Sequence, residues 1–193
     1  ASIYDSKGEK IRRIETLKNG EFFFKVKCDE TYKIAGDKFG FFETDTTLVT
    51  TKVNTYENKI TLKLDEKEFI KVNGNEILNV RTIEFELNEA NILERSYDEL
   101  AKVARLMDKF PDMIVRFGSH TDSRGGDGYN MWLSQKRASE TVRYLIGIGV
   151  DSRRITGKGF GETKLVNGCS NGVKCTESEH RQNKRTEFVV IHK

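Results

Sequence analysis

Proline and tryptophan each occur once in this 193-residue chain, and cysteine, histidine and methionine three times each. Neither sign of charge dominates, with 33 Lys and Arg against 30 Asp and Glu for a net of +3. Residues 1–68 hold 13 of each sign, which leaves 20 basic and 17 acidic residues beyond. Neither part has the basic excess that a phosphate backbone demands, so nucleic acid is not an expected partner. No apolar run approaches the ~18 residues that span a bilayer, and no charged-then-apolar leader opens the chain. The three histidines, His120, His180 and His192, lack metalloprotease spacing. Gly157-Lys158-Gly159-Phe160-Gly161 imitates a phosphate loop, but no Lys-Ser or Lys-Thr at a helix start follows it. Triads can be drawn through Ser119, His120 or Ser134, yet neither serine sits in a nucleophile elbow. No group of residues supplies nucleophile, base and oxyanion donors together, so no enzyme and no cofactor is expected.

What remains is a well-solvated globular composition, 36% hydrophobic and 33% charged, long enough for one or two domains with their own cores. Residues 1–68 read as all-β. Runs rich in β-branched and aromatic residues recur at Ile11 to Thr16, Glu21 to Lys27, Tyr32 to Ala35, Thr46 to Val53 and Lys59 to Leu64. Asn19-Gly20 is the strongest hairpin signal, because both residues tolerate positive φ. Phe22, Phe24 and Val26 alternate onto one face, so a small antiparallel sandwich is expected, with Phe22, Phe24, Tyr32 and Phe41 in its core. The chain begins inside a strand-like stretch. A longer parent protein is therefore expected, with any export signal or membrane anchor outside these residues.

Residues 69–79 read as a linker, with Asn73-Gly74-Asn75 as its turn signal. A second domain then fills 80–193. It opens with a strand from Val80 to Phe85, followed by a helix that Ser96 and Glu99 start as a capping box. Leu100, Val103, Ala104, Met107 and Phe110 form that helix's apolar stripe, and Pro111 stops it. Met113 to Phe117 is a buried strand. A second helix, Leu133 to Gly147, buries Ala138, Val142, Leu145 and Ile146, and strands at Arg154 to Gly159 and Thr186 to Ile191 complete the pattern. The fold class is α+β, with helices packed on one face of a mixed sheet in the second domain.

Asp122 sits at the exit of the Met113 to Phe117 strand and Arg137 lies fifteen residues on, inside the second helix. The glycine-rich turn between them allows the two to face one pocket. A carboxylate beside a guanidinium fork suits a zwitterion, the acid taking an ammonium and the arginine gripping a carboxylate. Free N–H groups at the helix start would support the carboxylate's side. Asp is also a common turn residue, and a helical Arg is commonly solvated. Cys169 and Cys175 flank Gly172 in a polar loop at a spacing that permits a disulfide. They also suit zinc in company with His180 and His120. Trp132, just ahead of Leu133, reads as packing near the helix start, with a ligand contact as the alternative.

The stretch His120-Thr121-Asp122, Gly125, Tyr129-Asn130, Leu133-Ser134, Arg137-Ala138, Val142, Tyr144-Leu145, Gly149-Val150, Arg154-Ile155, Gly159-Phe160-Gly161-Glu162, Asn183-Lys184-Arg185 and Glu187-Phe188 closely resembles the OmpA-like C-terminal domain. That resemblance covers roughly the last three-fifths of the chain. It implies an α/β sandwich that binds peptidoglycan non-covalently through the diaminopimelate of the stem peptide, and it places the binding aspartate and arginine on Asp122 and Arg137. It adds Asn88, Asn130 and Lys184 as further ligand contacts. Lys184 stands where the family usually has an arginine, which keeps the charge but loses the planar fork. The resemblance also favours the Cys169–Cys175 disulfide over zinc, since an exported domain meets an oxidising compartment, and leaves Cys28 buried in the sandwich. Asp5, Gly8, Asn19-Gly20-Glu21-Phe22, Phe24, Val26, Tyr32, Ile34, Ala35 and Lys38-Phe39-Gly40-Phe41 resemble the carboxypeptidase regulatory-like sandwich, which carries over no catalytic residue.

The expected function is a tether between cell wall and outer membrane, on the periplasmic side of that membrane, with peptidoglycan as partner and the membrane reached through regions outside these residues. The alternative is an interaction protein whose β-sandwich binds a protein or glycan, anchored by the second domain.

Overall fold

A computed structural model of the chain describes residues 1–51 and 60–193. They form two compact units, Ala1–Lys67 and Glu68–Lys193. The class is mixed α+β, as expected.

In the first unit β1 (Ser2–Tyr4), β2 (Lys10–Arg13), β3 (Thr31–Gly36) and β4 (Thr44–Val49) make one antiparallel sheet in the order β2-β1-β3-β4. Ile3, Tyr32 and Ile34 are its buried centre, and Phe22, Phe24, Leu48, Ile60 and Leu62 pack against them. Phe22 and Phe24 thus lie on the core as their alternation predicts. The expected strands at 21–27 and 60–64 form no ladder among the described residues, and Lys52, Val53 and Lys59 lie outside those residues. Asn19-Gly20 does turn the chain, with Gly20 at φ 85° and its N–H donating to the Leu17 carbonyl at 2.8 Å. Cys28 is exposed rather than buried.

The second unit begins earlier than the sequence suggests. Residues 69–79 are not a linker but a hairpin, β5 (Phe69–Val72) and β6 (Asn75–Leu78), closed by Asn73 at φ 48° and Gly74 at φ 80°. Two successive positive-φ residues match the right-handed twist of flanking strands, so Asn-Gly makes a tight hairpin there. The sheet continues with β7 (Ile114–His120), β8 (Ile155–Gly161) and β9 (Thr186–His192) in the order β5-β6-β9-β7-β8. β7 pairs parallel with β8 and antiparallel with β9. Parallel neighbours need a crossover, and α2 (Asp127–Gly147) supplies it.

The expected strand from Val80 to Phe85 is absent, apart from one bridge between Phe85 and Ile92. Its donors go to side chains instead. Arg81 N–H bonds the Glu99 carboxylate at 2.9 Å, Ile83 N–H the Thr186 hydroxyl at 2.8 Å and Glu84 N–H the Ser96 hydroxyl at 2.9 Å. Those bonds consume both members of the expected capping box, so α1 (Tyr97–Lys109) starts without a side-chain cap. The capping box that does form is Thr176 with Glu179, at the start of α3 (Glu177–Asn183), a helix the sequence pattern did not reveal. α1 ends just before Pro111, where Arg154 Nη1 donates to the Met107 and Phe110 carbonyls at 2.8 and 3.3 Å.

One core joins the layers. Leu100, Val103, Leu106 and Met107 of α1 and Ala138 and Leu145 of α2 pack with Val115, Phe117, Ile155 and Phe188 of the sheet. α2 starts six residues before the expected Leu133, so Asn130 and Trp132 are helical, and Ile146 is 40% exposed rather than buried.

Candidate ligand-binding site

The parallel strands β7 and β8 end side by side, and Thr121 N–H donates to the Gly161 carbonyl at 2.9 Å where they part. The chain leaves β7 into a turn held by its own aspartate: Arg124 N–H donates to Asp122 Oδ1 at 3.0 Å, and Gly125 takes φ 109°. Asn130, buried in the first turns of α2, donates from Nδ2 to the Asp122 carbonyl at 3.2 Å, the Arg124 carbonyl at 3.4 Å and Glu162 Oε2 at 2.5 Å. Through these bonds Asn130 holds the loop.

Asp122 itself is 3% exposed. Arg124 forks onto its Oδ2 from Nε at 3.0 Å and Nη2 at 2.7 Å, and Lys184 Nζ lies 3.2 Å from the same oxygen. Burial by itself would raise the Asp122 pKa. The bonds from Arg124 and Lys184 outweigh it and hold the carboxyl below its ordinary range. Arg124 also reaches Glu177 at 2.6 Å, and that bond, with the one to Asp122, raises its own pKa. Sequence reasoning missed both Arg124 and Glu177. Arg124 carried a local signal, two residues past a turn aspartate, whereas Glu177 lies 53 positions away.

Arg137 lines the same cavity as Asp122, a space of about 940 Å³ that Asn88, Asn130 and Lys184 also border. All five expected site residues therefore meet around one volume. Their pairing differs from the simplest expectation. Arg137 donates from Nε to the Glu89 carbonyl at 2.8 Å and from Nη2 to the Glu86 carbonyl at 3.2 Å, and its guanidinium stands 5.0 Å over the Phe85 ring. It clamps the Phe85 to Ile92 loop, in which Asn88 takes a positive φ of 59°. Burial lowers the Arg137 pKa, yet a guanidinium stays cationic at neutral pH. Lys184 is spent on Asp122 rather than standing ready for a carboxylate.

Below this rim His120 is buried, stacked on Phe160 with centroids 4.8 Å apart, and its Nε2 faces Glu187 Oε1 at 2.9 Å. Burial lowers the imidazole pKa against the pull of Glu187, so at neutral pH Nε2–H donates to the carboxylate. Ser134, the other residue weighed for a triad, accepts from Gly161 N–H at 2.8 Å and donates to the Met131 carbonyl. Its hydroxyl joins α2 to β8.

Cys169 and Cys175 form a disulfide, so the two sulfurs grouped with Glu179 are bonded to each other and are not a thiolate pair for zinc. The loop they close is fastened to the site. Ser123 Oγ donates to the Cys169 carbonyl at 2.6 Å and Asn171 Nδ2 to Asp127 Oδ1 at 3.0 Å. The cavity thus presents a carboxylate from the turn after β7 and a guanidinium from inside α2, a pair of opposite charges on two elements.

A mixed sheet with helices packed against it, carrying a charged cavity where the parallel strands end, defines the class of domain. Residues 84–178 match the model of the OmpA family. The outer membrane porin F of Pseudomonas fluorescens is 33% identical over 108 residues, which is 56% of this chain and 32% of the porin. The peptidoglycan-associated lipoprotein of Buchnera aphidicola is 32% identical over 108 residues, 56% of this chain and 60% of the lipoprotein. The chain thus spans less than two thirds of these relatives. The structure of an outer membrane protein from Borrelia burgdorferi B31 superposes with a TM-score of 0.50 at 28% identity, covering 65% of this chain and 96% of that one. Among the described residues no helix is long and apolar enough to cross a membrane.

Proposed function

We propose that the second unit binds peptidoglycan non-covalently by holding the diaminopimelate of a stem peptide in the cavity between Asp122 and Arg137. The observation that carries this reading is the shared cavity itself, with an ionised, buried carboxylate on one wall and a cationic fork on another. The ligand's ammonium exchanges with the Lys184 ammonium at Asp122 Oδ2, one cation for another, so no buried charge is left unpaired at any point. Lys184, released, turns to the ligand's carboxylate beside Arg137, whose Nη1 takes no part in the bonds to Glu86 and Glu89. Asn130 keeps the Asp122 turn in shape, and Asn88 sets the course of the loop that Arg137 clamps. Similarity to a peptidoglycan-associated lipoprotein supports the ligand class. On this reading the protein turns over no substrate. It works on the periplasmic side of the outer membrane, which it reaches through regions outside these residues, as a tether to the wall.

Pulldown of the full chain by purified sacculi tests the reading. Asp122→Ala and Arg137→Ala each abolish sedimentation with the wall while leaving the circular dichroism unchanged. Undiminished pulldown by both variants would defeat it, and would favour the first unit as the working surface. That unit's aromatic-lined sheet core, Phe22 and Phe24 against Tyr32, supports its likeness to a carboxypeptidase regulatory-like sandwich, which on the present reading serves as a spacer.

A further inference from the structure

Trp132 is the only tryptophan in the chain, and α2 leaves it 49% exposed to solvent. It does not pack into the core as its place near the helix start suggests. An indole carries a large apolar surface that water solvates poorly, so one held in the open beside a binding cavity needs a reason. Tyr129, three residues earlier, is 44% exposed, and the two rings lie 5.7 Å apart with their planes 34° from parallel. Lys136, four residues on, places Nζ 4.5 Å over the indole. Spacings of three and four residues put all three side chains on one stripe of the helix.

The stripe is continuous with the site. Tyr129 lines the cavity and its hydroxyl donates to the Asn88 carbonyl at 3.3 Å, while Trp132 and Lys136 stand on the adjoining face of α2, beside the one that Leu133 and Arg137 turn to the cavity. From Tyr129 to Lys136 the stripe measures about 10 Å at ~1.5 Å per residue, and it runs alongside the cavity, which Leu133 and Arg137 of the same helix also line. Gly128, Gln135 and Ser139 are exposed beside it, and Met131 beyond them is 39% exposed. This is not the broad apolar patch a protein partner would cover. Flat aromatic faces with a cation at the edge suit a ring that is apolar on its C–H faces and polar at its rim, and a pyranose is such a ring.

We infer that Tyr129 and Trp132 form a saccharide subsite, which stacks a sugar of the glycan strand while the cavity holds the stem peptide hanging from it. The inference rests on the wall-binding reading of the cavity and adds the glycan to what the domain recognises. The covalent order of the wall fits. A stem residue held at Asp122 leaves its parent sugar two or three residues away, about 7–10 Å for an extended chain, enough to carry it from the cavity onto the adjoining aromatic face.

The test titrates the full chain with two ligands, a sugar-free stem tripeptide ending in diaminopimelate and the same peptide on its disaccharide. Binding is read by calorimetry, and the single tryptophan reports through its emission. The disaccharide-peptide binds about fivefold tighter, the scale of one aromatic stacking contact, and it alone shifts the emission. Trp132→Ala erases that margin and leaves affinity for the sugar-free peptide unchanged, whereas Trp132→Phe keeps most of it. Equal affinity for the two ligands with unchanged emission overturns the subsite and leaves the cavity reading standing. A Trp132→Ala variant that weakens both ligands alike also overturns it. If neither ligand binds the unsubstituted chain, the cavity reading falls and takes the subsite with it.

Discussion

Asp122 is held by two cations of its own chain before any ligand arrives, and this sets how it titrates. Arg124 supplies three bonds, two to Oδ2 and one from its backbone N–H to Oδ1. Removing its guanidinium takes away two of those bonds and leaves Lys184 and the backbone N–H to offset what burial remains, so the opposing effect of burial gains ground. Arg124→Ala is therefore expected to raise the Asp122 pKa, a change that carbon-detected NMR titration of the carboxyl reads directly. An unmoved or lowered pKa would mean that Lys184 alone holds the charge. The Asp122 and Arg137 pair was legible in the sequence as two opposite charges near one turn. The bonds Arg137 makes were not, because Glu86 and Glu89 stand 51 and 48 positions before it and offer only backbone carbonyls, which every residue has.

Packing of α2 on β8 explains glycines that look like a phosphate loop. A Cβ on Gly159 would lie 2.2 Å from Gln135 N and 2.6 Å from its Cα, and one on Gly157 would lie 2.8 Å from the Ala138 carbonyl oxygen. Both obstacles are helix backbone, so neither can swing aside. The glycines in Gly157-Lys158-Gly159 let the helix lie almost on the strand, and the Gln135 amide accepts from Gly159 N–H at 2.9 Å to fix the approach. Gly159→Ala is expected to destabilise the domain by about 1–3 kcal/mol or more, as overpacking does, measured by urea unfolding. A neutral result would show that α2 shifts freely. Capping teaches the same lesson at this scale. Ser96-x-x-Glu99 has the spacing of a box, but tertiary partners at 81 and 84 claim both side chains, while Thr176 and Glu179 cap a helix of seven residues too short to print an apolar period.

Acid sensitivity belongs to the whole second unit, because its titrating groups sit where β7, β8 and β9 meet. His120 faces Glu187, with Arg185 and Lys164 near, and burial places its native pKa below the ordinary imidazole value of about 6.5. Between those two values the unfolded chain binds a proton that the native state refuses. Stability from His120 is therefore fully present above about pH 6.5 and falls as pH drops through that window, by at most about 1.4 kcal/mol per pH unit. The Asp122 pKa is also depressed, and its contribution is lost only below the ordinary aspartate range near 3.9. The thermal midpoint of the full chain is expected to decline from pH 7.5 to 5, and His120→Gln should flatten that decline. An equal slope in both proteins would place the acid-sensitive group elsewhere.

Local chemistry was enough to settle the α+β class, the apolar stripe of α1, the Asn-Gly turns, β7 and the placing of Asp122 and Arg137 about one turn. Each follows from periodicity, backbone preference or a short run of residue types. Tertiary contact alone decided that 69–79 joins the sheet as a hairpin, since a four-residue strand gains its stability from neighbours and carries almost no pattern of its own. It alone decided that 80–85 gives its donors to side chains, that Glu177 anchors Arg124, and that Trp132 faces water. Those outcomes turn on which distant groups reach a given N–H, carboxylate or ring first, and distance through space is not written along the chain.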